Sequence, residues 1–294
     1  MTAVLRSEEI ERAAALAEEL AREAIGLQAG RLVGRDERST KKGPGDWVTV
    51  VDVETERHVR RRLAEAFPDH AIEGEELGSS GDPSAPTWYL DPIDGTSNFV
   101  HGLPWSSFSL ALADAGGLAA AVVADPHRDE IFSARRGGGA RRNDSAVACS
   151  EADTLEGGLV LTELLGTDPW PGLDGMLAAL AERACVTRIP GSTALSLASF
   201  AAGRAFAVVL ANHHPIDVAG GMLLALEAGG EIIVPRSESD LLATWVSPAT
   251  TPPPAHGTPP PAHLLVVAAP GVREELCELL ARSAGRAAGR TGKA

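Results

Sequence analysis

Between Ser7 and Gly30 the apolar positions Ile10, Ala13, Ala14, Ala17, Leu20, Ala21 and Ala24 recur three and four apart, which predicts an amphipathic helix. Glu8 and Glu9 fall in its first turn, where the helix dipole favours anions. A second stripe, Val59, Leu63, Ala66 and Phe67, predicts a helix from Thr55 to Phe67 that Pro68 stops; a polar loop with Lys41, Lys42, Gly43 and Pro44 separates the two. From Thr87 onward the pattern changes to short apolar runs at 88–90, 108–113, 118–124 and 131–134, bounded by turn residues, the middle two forming a hairpin across Gly116 and Gly117. Further on, strand-like runs at 159–162, 205–210, 232–234 and 264–268 alternate with helical runs at 174–184, 195–202, 218–228 and 272–280. Such alternation predicts α/β layering.

Composition narrows the classes. With 294 residues, 44% hydrophobic and 22% charged, the chain is neither disordered nor fibrous, and a chain of this size can bury about 75% of its unfolded surface. Twenty-six Lys and Arg against 40 Asp and Glu give a net charge of −14, which repels polyanions and makes nucleic acid an unexpected partner. A phosphate bound here would need a bound cation to attract it. Cys149, Cys185 and Cys277 are far apart and form no CxxC pair, so neither a disulfide framework nor a zinc site is indicated, and a reducing cytoplasm fits best. No targeting segment and no run of 18 apolar residues is present, so no membrane association is expected. Seven prolines crowd 248–261, a surface excursion, and the tail beyond Ala281 is expected to fray.

The densest chemistry lies in Trp88-Tyr89-Leu90-Asp91-Pro92-Ile93-Asp94-Gly95-Thr96-Ser97-Asn98-Phe99, where a buried-looking strand ends in two carboxylates three positions apart. Pro92 fixes the backbone between them, so that both carboxylates and the Ile93 carbonyl can converge on one point. Oxygen donors of this kind suit Mg²⁺ rather than zinc. If a helix starts after Gly95, the amides of Gly95, Thr96 and Ser97 form an anion cradle beside the metal. The plain alternative is a strand that ends in an Asp-Gly turn. An EF-hand fails on spacing, since counting from Asp91 puts Ile93, Gly95 and Gly102 where oxygen ligands belong. Gly74-Glu75-Glu76 reads alone as a solvated acidic loop, and Asp217 as a first-turn helix acid. His213 and His214 suggest zinc, but adjacent side chains diverge on any regular backbone.

Taken together, Gly45-Asp46-Trp47-Val48-Thr49-Val50-Val51-Asp52, Gly74-Glu75-Glu76, the Asp91 to Phe99 run, and Asp217-Val218-Ala219-Gly220-Gly221 with Glu227-Ala228-Gly229-Gly230 resemble the inositol monophosphatase family of Mg²⁺-dependent, lithium-sensitive sugar phosphatases. The resemblance covers nearly the whole chain and implies a layered αβαβα sandwich, commonly dimeric, with the metal site between an N-terminal α+β half, 1–150, and a C-terminal α/β half, 151–294. It implies that Glu75, Asp91 and the Ile93 carbonyl hold one Mg²⁺ and that Asp91, Asp94 and Asp217 hold a second, with a third near Glu75 in some members. It further implies that Thr96, supported by Asp52, positions and deprotonates the attacking water, and that Gly95 and Thr96 amides grip the phosphate. Gly191, Ser192 and Thr193 match the loop that contacts the alcohol, and Lys41 or Lys42 falls where the family carries a loop lysine.

The sequence also departs from that pattern. Inositol-specific members carry a Glu seven positions before the metal-binding Asp, and Leu210 stands there, unable to accept hydrogen bonds from ring hydroxyls. Pro215 and Ile216 precede Asp217 where Trp is usual, and Glu163, read as replacing a small hydroxyl residue, has a charge that would favour a cationic alcohol if it faces the site. The expected activity is hydrolysis of a small phosphorylated alcohol, inositol monophosphate first. The alternatives are histidinol phosphate hydrolysis, or metal and phosphosugar binding without turnover.

Overall fold

In this computed structural model residues 4–29, 31, 38–43, 46–164, 169–211, 213–233 and 264–290 are described. Helix α1, Ser7–Gln28, buries the stripe its spacing predicts, from Ile10 through Ala24 to Gln28. Helix α2, Val50–Ala66, starts five residues before the expected Thr55. The cause is a cap: Thr49 Oγ1 accepts from the amides of Val51 and Asp52, and Asp52 accepts from the Thr49 amide at 2.9 Å. This reciprocal bond also places Asp52 inside the first helical turn. Before it, β1 (Arg38–Gly43) and β2 (Asp46–Thr49) pair antiparallel where a polar loop was expected, because the RSTKKG run of β1 carries no apolar alternation to betray it.

Strands β3 (Ala71–Gly74), β4 (Gly78–Ser80), β5 (Thr87–Asp94), β6 (Ser107–Asp114), β7 (Gly117–Asp125), β8 (Glu130–Arg135), β9 (Ala140–Arg142) and β10 (Ser145–Val147) form one sheet in the order β10-β9-β8-β7-β6-β5-β3-β4. Among the described residues its only parallel pair is β3 with β5. The sheet is covered on both faces, so its strands alternate between two cores rather than between core and water. Trp88, Leu90, Leu110 and Val122 face α1 and α2; Tyr89, Ala111, Ala121 and Val123 face inward.

A second sheet has the order β12-β11-β13-β15-β14, with β11 (Leu159–Thr162), β12 (Val186–Arg188), β13 (Ala207–Ala211), β14 (Glu231–Ile233) and β15 (Leu264–Ala268). Between the sheets lie α5 (Thr193–Ala201) and α6 (Pro215–Glu227). All nine residues of α5 are buried, six of them apolar and three, Thr193, Ser196 and Ser199, carrying small hydroxyls. At Gly221 of α6 a Cβ would lie 2.3 Å from Leu197 Cβ, so glycine lets the two helices meet. Helix α4 (Leu173–Ala181) packs on α7 (Arg273–Arg290), which continues past Ala281 where fraying was expected. The layers are therefore helix, sheet, helix, sheet, helix, the α/β sandwich expected. The short helix α3 (Thr96–His101) follows β5. The Pro-rich run at 248–261 lies outside the described residues.

Candidate active site

All eight residues of β5 are buried, and the strand runs on through Asp91 to Asp94, four residues past the expected end at Leu90. Against β6 its register moves from Asp91 opposite Ser109 to Asp94 opposite Ser107, three residues matched to two. Pro92, which lacks an amide hydrogen, sits in this bulge. Residues three apart on a regular strand face opposite ways, whereas Ser107 and Ser109 are two apart and share a face. The bulge thus turns Asp91 and Asp94 to one side, that of Tyr89, toward the inter-sheet helices. The freed backbone groups find partners: Pro92 O accepts from Gln28 Nε2 at 2.8 Å and Ile93 N donates to Asp91 Oδ1 at 2.9 Å.

Gly95 has φ +87, and a Cβ there would stand 2.7 Å from Gly191 O, so the turn into α3 requires glycine. Helix α3 does begin at Thr96, leaving its first amides without intrahelical acceptors. Thr96 Oγ1 donates to the Ile93 carbonyl at 2.9 Å and lies 3.4 Å from Asp52 Oδ1, which brings α2 to the end of β5. Burial pushes the Asp52 carboxyl up to about 6, against hydrogen bonds from Thr49 and Thr96 that favour its charge.

Glu75 follows β3, and its amide donates to Leu90 O at 3.2 Å beside Asp91. The turn is held from behind by buried Glu56, which accepts from the amides of Glu76 at 2.8 Å and Leu77 at 3.1 Å. Asp217 is both the first-turn acid foreseen and half of a capping box, accepting from His214 N at 2.9 Å. Asp94 Oδ2 accepts from Ala194 N at 2.7 Å, from Ser107 Oγ at 3.4 Å and from Ser192 Oγ.

The structure brings Glu75, Asp91, Asp94 and Asp217 within reach of one another's charge. Asp91 is raised well above the usual carboxylate range by burial, then by Glu75, Asp94 and Asp217. Asp94 is pushed up to about 6 by burial and by Asp217, opposed by hydrogen bonds from Ser192, Ala194 and Thr193. Glu75 rises to about 8 through enclosure in the cleft and through Glu76, Asp217 and Asp52, while water at its exposed edge screens those charges. Glu75 and Asp91 lie in hydrogen-bonding contact, and burial holds both carboxyls above their usual range. Burial raises Asp217 too, against His214 and His213.

Among the described residues no three Asp, Glu, His or Cys side chains close on one point as they stand. The carboxylates are instead drawn to protons and to neighbouring amides and hydroxyls, and buried like charges of this kind are the donor set a hard dication neutralises.

Other expected residues fall in different places. Ser97 and Gly191 are exposed, while Thr193 is buried and Ser192 turns its hydroxyl onto Asp94. Glu163 is corrected: it is 3% exposed, accepts from Gly191 N and Ser196 Oγ at 2.7 Å each, and offers no free carboxylate to a cationic substrate. Leu210 and Ile216 are buried in the inter-sheet core. Lys41 and Lys42 lie in β1, their side chains outside the described residues. Glu56 and Ser107 escaped sequence reading because single polar residues carry no periodicity, the only sign being an acid four residues after Asp52 on one helix face, and Asn98 stands in the quoted run without an assigned role.

Alternating helix and sheet layers, with clustered carboxylates where a buried strand meets a helix N-terminus, define a layered α/β phosphatase. The inositol monophosphatase family model matches residues 6–283, and the chain belongs to that family. It is similar to the Nus factor SuhB of Pseudomonas aeruginosa, 40% identical over 197 residues that span 65% of this chain and 73% of that protein. An inositol-1-monophosphatase of Rhizobium meliloti is 36% identical over 69% of this chain and 80% of its own. Among solved structures the IMPase of Thermotoga maritima superposes with a TM-score of 0.76 at 27% identity, covering 92% of this chain and 96% of that one. The family is generally metal-dependent, and the chain is a phosphatase. No helix among the described residues is long and apolar enough to cross a membrane.

Proposed function

We propose that this protein hydrolyses the phosphate monoester of a small alcohol, inositol monophosphate or a related sugar phosphate, with Mg²⁺ held by Glu75, Asp91, the Ile93 carbonyl, Asp94 and Asp217. The observation that carries this reading is the meeting of four carboxylates from three separate segments, Glu75 after β3, Asp91 and Asp94 on β5 and Asp217 on α6, where burial and neighbouring negative charge hold Asp91 and Asp94 above the usual carboxylate range. Two ions, or three, would fit the family's pattern. Bound there, Mg²⁺ supplies charge for the phosphate oxygens, acidifies water and stabilises the leaving alkoxide.

The chain's own groups do the rest. Amides of Gly95, Thr96 and Ser97 grip the phosphate at the start of α3. The Thr96 hydroxyl accepts a hydrogen bond from the attacking water and passes a proton toward Asp52, whose carboxyl near 6 is matched to a base that works around neutral pH. Water oxygen bonds to phosphorus as the ester oxygen departs and takes up a proton. Gly191, Ser192 and Thr193 form the rim toward the alcohol, with Ser192 acting through Asp94. A cytoplasmic homodimer belongs to the same reading, its stoichiometry open to sedimentation.

Phosphate release from inositol 1-phosphate, histidinol phosphate and an aryl phosphate, with millimolar Mg²⁺ and again with excess chelator, tests the proposal. Release that stops on chelation is expected, with histidinol phosphate poorest because Glu163 is occupied. Several relatives bear the name Nus factor rather than phosphatase, and that observation favours a second reading, binding without turnover. Silence on all three substrates with measurable Mg²⁺ uptake would select it.

Leu210 bears on the alcohol. It is 1% exposed and offers no acceptor, so if this position reads the alcohol a polyol forfeits a partner there at about 1–3 kcal/mol. The L210E variant should raise the ratio of inositol phosphate to aryl phosphate turnover while lowering Tm, since it buries a carboxylate. An unchanged ratio in folded protein removes the specificity argument.

A further inference from the structure

We propose that Glu163 is a positioning residue of this site, fixing the backbone of residues 190–194 and, through it, the orientation of Asp94. The inference rests on the phosphatase reading above and adds a residue to it. Glu163 lies just beyond β11, buried to 3% exposure, and touches none of the clustered carboxylates through a hydrogen bond of its own. Its Oε2 accepts from Gly191 N and its Oε1 from Ser196 Oγ, both at 2.7 Å. One carboxylate thus ties together the loop before α5 and the first turn of that helix.

Between those two anchors, Ser192 Oγ and Ala194 N both donate to Asp94 Oδ2. The near end of the loop is clamped from the other side, where Asn98 Nδ2 donates to Pro190 O and Trp105 O at 2.7 Å each. Glu163 and Asn98 therefore hold the segment at separate points, and Asp94 receives two of its hydrogen bonds from residues between Gly191 and Ser196. Burial pushes the Glu163 carboxyl up to about 8, against its hydrogen bonds from Ser196 and Gly191, and an apolar residue of similar volume would fill the space without desolvating a polar group. What an apolar residue cannot supply is two acceptors at fixed points, which is the arrangement an outer-sphere partner of a metal ligand requires.

Four proteins decide the matter: wild type, E163Q, E163L and S196A. Each is examined by Mg²⁺ titration calorimetry of the metal-free protein, by the Mg²⁺ dependence of aryl phosphate hydrolysis, and by thermal melting. In E163Q the amide oxygen accepts from Gly191 N and the amide nitrogen donates to Ser196 Oγ, so Mg²⁺ affinity should stay near wild type. In E163L both acceptors vanish, and affinity should fall about 10- to 100-fold, with KM for the aryl phosphate at saturating Mg²⁺ moving less. S196A, with one anchor removed, should fall between them, and it carries the test if E163L does not fold. A purely structural role would lower Tm and leave the Mg²⁺ affinity of folded protein unchanged.

Wild-type affinity in both E163L and S196A overturns the proposal, and so does an E163Q protein as weak as E163L, since that variant keeps hydrogen-bonded ties to Gly191 and Ser196 and the ties would then not be what matters. A wild-type protein that takes up no Mg²⁺ overturns the metal reading together with this one. Wild-type uptake with unaltered variants overturns this one alone.

Discussion

Asp94→Asn should abolish Mg²⁺-dependent phosphate release while leaving the fold intact. Asp94 is 8% exposed and its Oδ2 accepts from Ala194 N, Ser192 Oγ and Ser107 Oγ, bonds that an amide oxygen in the same place can keep. The other corner of the side chain becomes an uncharged donor in a site where Asp217 adds to the burial-driven rise of Asp94, and Asp94 and Asp217 add to that of Asp91. Loss of one anionic ligand to a dication should lower kcat/KM about a thousandfold, equivalent to ~4 kcal/mol of transition-state stabilisation. The metal-free variant should melt at or above the wild-type Tm, because a buried like charge has gone. A soluble D94N protein with normal turnover would sink the ligand assignment. Normal Mg²⁺ uptake without turnover would instead place Asp94 in the chemistry rather than in metal binding.

That this residue could be singled out without coordinates reflects what a linear pattern can carry. Asp91 and Asp94 are three apart around a proline, and a covalent constraint of that kind is visible in any chain. Their common orientation was not visible, because it depends on which partner strand slips; the two-against-three match with Ser107 and Ser109 exists only once β6 is in place. Helices α1 and α5 were legible through apolar spacing, yet the start of α2 was not, since Thr49 and Asp52 act through one reciprocal hydrogen-bond pair rather than through a stripe. Strands β4, β9, β10 and β12 are three residues each, too short for a period of two to register. Glu163 shows the deeper limit. Its charge was read as something to offer a substrate, whereas its two partners, 28 and 33 positions further along, absorb it.

Mg²⁺ uptake should displace protons, and the metal-free protein should lose stability as pH rises from about 5 to 8. Both follow from one fact. Buried carboxyls in the cluster hold their protons to higher pH folded than unfolded: Asp94 to about 6 against 3.8, Glu75 to about 8 against 4.5, and Asp91 well above its usual value. The folded chain therefore binds more protons than the unfolded one across that interval. Its stability is fully present below the unfolded values near 4 and declines as pH climbs through the folded ones. For Asp94 alone the change amounts to ~3 kcal/mol, and the contribution of Glu75 is smaller than its shift suggests because water reaches its edge.

A dication needs the same oxygens deprotonated, so it competes with these protons and releases them. Calorimetric Mg²⁺ titrations in two buffers of different ionisation enthalpy should show roughly one proton or more leaving per protein near pH 7. Mg²⁺ at a hundred times its dissociation constant adds about 2.7 kcal/mol of stability, an increment that should shrink at pH 6 for the same total Mg²⁺, because protons there weaken the apparent affinity. Mg²⁺ uptake with no proton release, or a metal-free Tm that rises from pH 5 to pH 8, would mean that the carboxylates are already charged and separately solvated, and the cluster would lose its claim to the metal.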